Sequence, residues 1–190
     1  PTDEWGLDVV LSGSQKGWMV PPGLVFASVS PAAWKAYETA KMPRFYWDLG
    51  KSKEYRKKWE NPWTPALSIV FALNAALDIM NKEGIKNIFA RHTRLADKTR
   101  AGVKALGLKL LADEKHASNT VTAVWGPEGI APNDLRKAIK AKYGVEMAGG
   151  QGALDGQIFR IGHLGYVNDA DIDEVLAALK NGLRDAGFKK

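Results

Sequence analysis

A lysine directly after a predicted strand is the group in this sequence best suited to covalent chemistry. Lys16 lies in the polar segment Ser12 to Gly17, which follows the β-branched run Asp8 to Ser12. We expect it to lie near the core, where burial disfavours the charged ammonium. The neutral amine is the nucleophile in Schiff-base chemistry, and flanking glycines let the backbone approach a bulky ligand. From the spacing alone, an ordinary lysine in a polar turn remains the alternative.

The wider segment around Lys16 has a specific pattern. Ser-Gly-Ser-Gln-Lys at Ser12 to Lys16, with Pro-Pro-Gly at Pro21 to Gly23, resembles the cofactor-lysine segment of class V aminotransferases. Within that family it most resembles the alanine–glyoxylate and serine–glyoxylate branch. The resemblance continues in order over essentially the whole chain, through the segments Asn61 to Pro65, Arg91-His92 and Phe159 to Gly162.

The resemblance implies a cofactor and the residues that hold it. Lys16 would form a Schiff base with pyridoxal 5'-phosphate (PLP), and its freed amine would then move a proton during amino-group transfer. Gln15 would lie near the cofactor phosphate. The segment containing Trp63 and Thr64 would reach the phosphate in a neighbouring subunit, with the Thr64 hydroxyl as the candidate contact and Trp63 packed nearby.

An arginine on a predicted strand is the candidate for substrate binding. Arg160 matches the family's arginine that binds the substrate α-carboxylate. A planar guanidinium on a rigid strand suits a bidentate contact with a carboxylate. The alternative is a surface arginine paired with an acid such as Asp155. His163 follows closely and is either a supporting residue of this site or a plain structural histidine.

Apolar spacing predicts the elements that position these residues. We expect strands at 8–12, 23–30, 108–112, 119–125 and 156–162, with a short extended stretch at 145–147. Ser30-Pro31 predicts a helix start, and helices are expected at 65–80, 84–106 and 133–143, followed by a last helix capped at Asn168-Asp169. The helix at 65–80 is apolar almost all round, which predicts that it is well buried.

The fold expected from the resemblance is α/β. It is PLP-dependent transferase fold type I, comprising the end of the large domain and a C-terminal α+β small domain. We assign residues 1–80 to the large PLP-binding domain and 85–190 to the small domain. The family's N-terminal half is expected to be absent from this chain. That half of the same enzyme is therefore an expected partner, and the shared active site implies a homodimer.

Composition limits the remaining functional classes. The formal net charge is +6, but Glu54 interrupts the basic run at 51–58 and Glu60 follows it, so we expect no nucleic-acid partner. There is no cysteine, which fits a reducing compartment, and we expect a cytoplasmic protein without a metal site. No run approaches the ~20 apolar residues of a membrane span, so no membrane partner is expected.

The predicted function is transfer of an amino group from a small amino acid, alanine or serine, to a 2-oxo acid, glyoxylate. This fragment alone is expected to bind PLP poorly. One alternative is a desulfurase or lyase of the same PLP-dependent class. The absence of cysteine argues against a cysteine desulfurase with its nucleophile in this half. A second alternative is a non-catalytic subunit or interaction module that retains the fold, because proteins of this branch have been labelled hydrogenase-associated subunits.

Overall fold

The fold combines short strands with longer helices in a computed structural model that describes residues 1–189. The strands are β1 (Val9–Gly13), β2 (Val25–Val29), β3 (Val121–Trp125), β4 (Ala148–Gly149) and β5 (Ile158–Gly162). The helices are α1 (Pro31–Thr39), α2 (Leu49–Arg56), α3 (Leu67–Glu83), α4 (Ile85–Ala105), α5 (Pro132–Tyr143) and α6 (Asp169–Asp185). The predicted helices are thus confirmed with small shifts at their ends, and α2 adds a helix within the basic run.

The chain divides into two compact units, Pro1–Ile79 and the part from Met80 onwards. Whether they correspond to a large and a small domain stays a prediction, and the last residue assigned to the second domain, Lys190, lies outside the described residues. In the first unit, β1 and β2 form a two-stranded antiparallel sheet. Ser30 caps α1 as predicted, because its side chain accepts a hydrogen bond from the Ala33 amide.

The hairpin of β1 and β2 is apolar on both faces. One face presents Val9, Leu11 and Val25, which are 51%, 65% and 72% exposed. On the other face the rings of Trp18 and Phe26 lie 4.6 Å apart. Strands that are apolar on both faces are typical of sheets covered on both sides. The predicted burial of the first strand is therefore wrong for this chain, because no described layer covers its outer face.

Helix α3 is also much more exposed than its sequence predicts. Phe71 is 74% exposed and Leu67 is 60% exposed, and Ala76 is the one buried residue within this helix. The prediction of a well-buried helix is wrong here, because the described elements of the chain leave most of its surface uncovered. A helix that is apolar on all sides is normally buried, so further elements are expected to pack against α3.

The second unit contains its own hydrophobic core. Its antiparallel sheet has the order β3-β5-β4. Helices α4 and α5 both pack against α6. Gly102 and Gly182 permit the close approach of α6, because a Cβ atom on either would lie 2.3–2.4 Å from a side chain of the facing helix. Fully buried side chains in this unit include Leu95, Val103, Val124, Leu135, Ile139, Phe159, Ile172 and Leu179.

One predicted strand of the second unit differs from the structure. The stretch at 108–112 is not a strand, because only an isolated bridge joins Leu110 to Val124. The short stretch at 145–147, predicted as extended, leads directly into β4 at Ala148. Strand pairing depends on partners distant in sequence, which local spacing does not specify. The last helix begins as predicted, with Asn168 and Asp171 forming a reciprocal capping box.

Candidate functional site

The loop that contains Lys16 is closed at its base by a buried serine. Ser14 is completely buried between β1 and β2. Its hydroxyl donates to the Pro21 carbonyl at 2.7 Å and accepts from the Leu24 amide at 3.2 Å. The Ser14 amide donates to the Leu24 carbonyl at 3.1 Å. These three bonds fix both ends of the loop and so restrict where Lys16 can lie. Spacing did not identify Ser14 as the residue that closes the loop, although a small polar residue between Gly13 and Gln15 was a usable signal.

The conformation at the C-terminal end of the loop also depends on a glycine. Gly23 has φ +142°, a conformation that residues with side chains rarely adopt. A Cβ atom there would lie 2.3 Å from Cδ1 of Ile69 on α3. The Pro-Pro-Gly segment therefore lets the end of the loop pack directly against α3.

Lys16 itself is exposed, which corrects the expectation that it lies near the core. Its carbonyl accepts a hydrogen bond from the Met19 amide at 3.0 Å, so the backbone is held in a turn. The side chain forms no ion pair within residues 1–189. The reason for the exposure is that the hairpin has only two strands and no described element covers the loop. The amine is thus accessible to a carbonyl compound.

Gln15 lies beside Lys16 and is likewise exposed. A Cβ atom on Gly13 would lie 2.8 Å from Oε1 of Gln15. The absence of a side chain at Gly13 therefore lets the Gln15 amide fold back over the end of β1. This amide is a possible donor to an anionic ligand next to the lysine.

Trp63 and Thr64 lie in the segment between α2 and α3. The Trp63 ring stacks on Tyr46 at a centroid distance of 5.1 Å, and its Nε1 donates to the Tyr46 carbonyl at 3.1 Å. The Lys51 ammonium lies 5.0 Å from the Trp63 ring centroid, which is cation–π range. Thr64 is exposed, and its hydroxyl makes no hydrogen bond in the described part of the chain. Within residues 1–189, no hydrogen bond or ring contact joins these two residues to Lys16 or Gln15.

Arg160 lies in the middle of β5, in the second unit, and is half-buried. Its Nε donates to the Gly149 carbonyl at 2.7 Å. No carboxylate within residues 1–189 pairs with it, so the alternative of an ion pair with Asp155 does not describe this structure. Both Nη groups are therefore available to a ligand. Spacing did not identify Gly149, although the pair Gly149-Gly150 was a usable signal for close packing of the backbone.

His163 is buried at the end of β5 and has a structural role. Its Nδ1 lies 3.2 Å from the Asn119 carbonyl, which can only accept, so Nδ1 bears the proton. Its Nε2 lies 2.8 Å from the Thr122 hydroxyl and accepts from it. Burial lowers the pKa of His163 below its ordinary value, since the charged imidazolium is disfavoured away from water. The neutral form is therefore the one built into the fold.

The residues of the first unit fit their predicted share of a PLP site. Schiff-base formation needs an accessible primary amine, and Lys16 presents one on a fixed loop. The Gln15 amide and the unpaired Thr64 hydroxyl are groups suited to phosphate oxygens. In residues 1–189 no cluster of three or more His, Cys, Asp or Glu side chains is arranged to hold a metal ion. None of the described helices combines the length and apolar character needed to cross a membrane.

Comparisons with known proteins agree with the resemblance. A family model described as aminotransferase class-V matches residues 2–175. A protein of Synechococcus sp. (strain PCC 6716) named "Soluble hydrogenase, small subunit" is 52% identical over 99% of this chain and 49% of its own length. The serine–glyoxylate aminotransferase of Arabidopsis thaliana is 39% identical over 98% of this chain and 47% of its own length.

A solved structure extends the similarity to the backbone. The pyridoxamine–pyruvate aminotransferase of Mesorhizobium loti is 33% identical, with a TM-score of 0.90 over 99% of this chain and 49% of that one. The present chain thus spans about half the length of the curated relatives it matches.

Proposed function

The chain belongs to the class-V aminotransferase family, and from this premise we propose that it is part of a PLP-dependent aminotransferase. Its α/β architecture is that of a segment of PLP-dependent fold type I, as predicted. The amino donor would be a small amino acid, alanine or serine, and the acceptor would be glyoxylate. The similarity to the serine–glyoxylate enzyme of Arabidopsis thaliana supports this substrate class.

The observation on which this proposal chiefly depends is the Lys16 loop. An accessible lysine amine lies two residues beyond a completely buried serine whose hydroxyl bonds the opposite end of the same loop. Such a loop holds the amine in one region without covering it. A lysine in an ordinary polar turn would not need a buried residue to organise the backbone beside it.

The candidate site residues have distinct parts in the proposed reaction. PLP, when bound, supplies an electron sink for amino-group transfer. Lys16 would hold the cofactor through Nζ, and its free amine would accept the proton that leaves the substrate α-carbon and pass it on, as net amino-group transfer requires. Arg160 would bind the α-carboxylate through its two Nη groups and so orient the α-carbon.

The phosphate contacts complete the proposed site. Gln15 would donate to the cofactor phosphate beside its own Lys16. Thr64 and Trp63 would serve the phosphate of the neighbouring subunit in a homodimer, with the Trp63 ring held in place by its stacking on Tyr46.

The uncovered apolar surface of the first unit is also evidence for further polypeptide packed against it. The exposed apolar face of the hairpin and the exposed residues of α3 require further chain to cover them. We propose that the N-terminal half of the same enzyme adds strands and a helical layer there. A cytoplasmic location stays a prediction.

A second function has support from one relative. The name "Soluble hydrogenase, small subunit" at 52% identity favours a subunit that retains the aminotransferase fold within another assembly. The two possibilities differ in whether Lys16 takes up PLP.

The test is borohydride reduction in the presence of PLP, followed by peptide mapping. It is performed on this chain alone and on the chain joined to a matching N-terminal half. We expect a pyridoxyl label on Lys16 in the joined protein and less label in the chain alone. Lys16→Arg should abolish the label on that peptide. Lys41→Arg, at another exposed lysine of the first unit, is the matched control and should leave it unchanged.

The outcomes separate the two functions. Label on Lys16 in the joined protein supports the aminotransferase and leads to a screen of amino donors. The absence of label on Lys16 in both samples would contradict it and favour the non-catalytic subunit.

A further inference from the structure

The strand that contacts Arg160 is very short. β4 contains only Ala148 and Gly149, and it pairs with β5 at the edge of the sheet through Ala148↔Arg160 and Gly149↔Phe159. Strands usually have about five or six residues. Two pairings at a sheet edge are a weak restraint on the carbonyl groups of β4. Something else must fix the Gly149 carbonyl that accepts the Arg160 Nε bond.

A second arginine holds β4 from the helical side. Arg136 lies on α5 and is half-buried. Its Nε donates to the Met147 carbonyl at 2.7 Å, and its Nη1 donates to Oδ1 of Asn133 at 3.0 Å. The guanidinium is thus fixed at two points, one on its own helix and one at the start of β4. A charge-assisted bond of this kind is stronger than the neutral bonds of the ladder.

Glycine at position 149 lets Arg136 pack directly on the strand backbone. A Cβ atom on Gly149 would lie 2.8 Å from Nη1 of Arg136 and 3.3 Å from Oδ1 of Asn133. The next residue is equally constrained, because a Cβ atom on Gly150 would lie 1.9 Å from the Leu154 carbonyl oxygen. Both sides of the Gly149 carbonyl are therefore fixed by close packing.

The contact with Gly149 decides which donors of Arg160 remain for a ligand. A guanidinium has five N–H donors, one on Nε and two on each Nη. The Nε donor is bound to Gly149, so the remaining bidentate edge is the pair Nη1 and Nη2. A carboxylate would then be bound at the Nη1–Nη2 end of the guanidinium. The Gly149 carbonyl sets the direction of this end, because it holds the Nε donor.

We propose that Arg136 is a positioning residue that fixes β4 and thereby presents the Nη1–Nη2 edge of Arg160 to a substrate carboxylate. The contact between Arg136 and β4 stands on its own geometry, whereas the carboxylate role rests on the proposed function. Gly149 is needed for the same contact, because a larger residue would push Arg136 away from the strand.

The test measures the Arg160 Nε–H directly by NMR in the 190-residue chain. Its ¹H–¹⁵Nε signal is assigned by its loss in Arg160→Lys. In the wild-type chain we expect slow exchange of this proton with water, since it is bonded to Gly149. Arg136→Met and, independently, Gly149→Ala should speed the exchange by about tenfold or more. Arg184→Met, at an arginine 69% exposed on α6, is the matched control and should leave the rate unchanged.

A second readout separates positioning from general destabilisation. Amide exchange of Leu179, in the core of the second unit, should change little in the variants if only β4 is released. An unchanged Arg160 Nε–H rate in both Arg136→Met and Gly149→Ala would overturn the inference. So would an equal acceleration at Arg160 and Leu179 in both variants, which indicates unfolding of the whole unit.

The carboxylate role is tested with acetate as the probe. Acetate should shift the Arg160 side-chain signals in the wild-type chain and should shift them less in Arg136→Met. Faster Nε–H exchange without any acetate shift would support the positioning contact and count against Arg160 as the carboxylate-binding residue. Labelling of Lys16 by PLP remains a separate readout for the proposed function.

Discussion

Replacing Ser14 by alanine should loosen the loop that positions Lys16. The hydroxyl is completely buried and joins the Pro21 carbonyl to the Leu24 amide. Pro21 is exposed, so its carbonyl can regain a bond to water, whereas the half-buried Leu24 amide loses its partner. One unpaired buried group costs about 1–3 kcal/mol. That cost corresponds to an increase of about 5- to 150-fold in the equilibrium for opening the loop.

Native-state hydrogen exchange at the amide of residue 14 measures this opening. That amide donates to the Leu24 carbonyl and is retained in Ser14→Ala, so its exchange reports the loop and not the lost hydroxyl bond itself. Ser28→Ala is the matched control, because Ser28 is exposed on β2 and its hydroxyl has no partner within residues 1–189. Exchange in Ser14→Ala within about 0.5 kcal/mol of that in Ser28→Ala would refute the reasoning.

Two other predictions concern the second unit. Gly150→Ala should destabilise it by about 1–3 kcal/mol in urea unfolding, because the new Cβ would lie 1.9 Å from the Leu154 carbonyl oxygen. Gly162→Ala is the control and should be nearly neutral, since its new Cβ meets only an ordinary contact. Equal effects of the two substitutions would contradict the reasoning. The pKa of His163 is lower in the folded protein than in the unfolded chain, so on acidification the unfolded chain binds the imidazole proton at a higher pH than the folded protein does. The free energy of unfolding should therefore fall as the pH drops below about 6.5, by at most about 1.4 kcal/mol per pH unit. His163→Asn retains a donor for the Asn119 carbonyl and should flatten this part of the stability–pH curve, whereas an unchanged curve would exclude His163 as the cause.

Local signals in the sequence predicted the helices and their starting residues well. The helix starts at Ser30 and Asn168 were confirmed because capping depends on a side chain and an amide only two or three residues apart. Helices α4 and α6 were confirmed because their apolar spacing matches the core that they themselves form. The strand predicted at 108–112 failed because a bridge at Leu110 needs a partner that the local sequence does not specify.

The candidate site shows where sequence reasoning stops. Spacing identified a lysine in a loop after a strand, and the structure has that loop. Spacing did not reveal that Lys16 is exposed, because burial there depends on elements that the described chain does not contain. The same reason explains the uncovered apolar surface of α3. The bond from Arg160 to Gly149 could not be predicted, since it depends on the tertiary position of β4.

The unequal covering of the two units has a consequence for the abundance of the protein. Copies in which the proposed N-terminal half does not cover the first unit would display Phe71, Leu67 and the hairpin valines to chaperones and proteases. The second unit, with its own core, would survive longer than the first. We therefore expect degradation to begin in the first unit, so that the amount of the protein in a cell depends on whether that unit is covered.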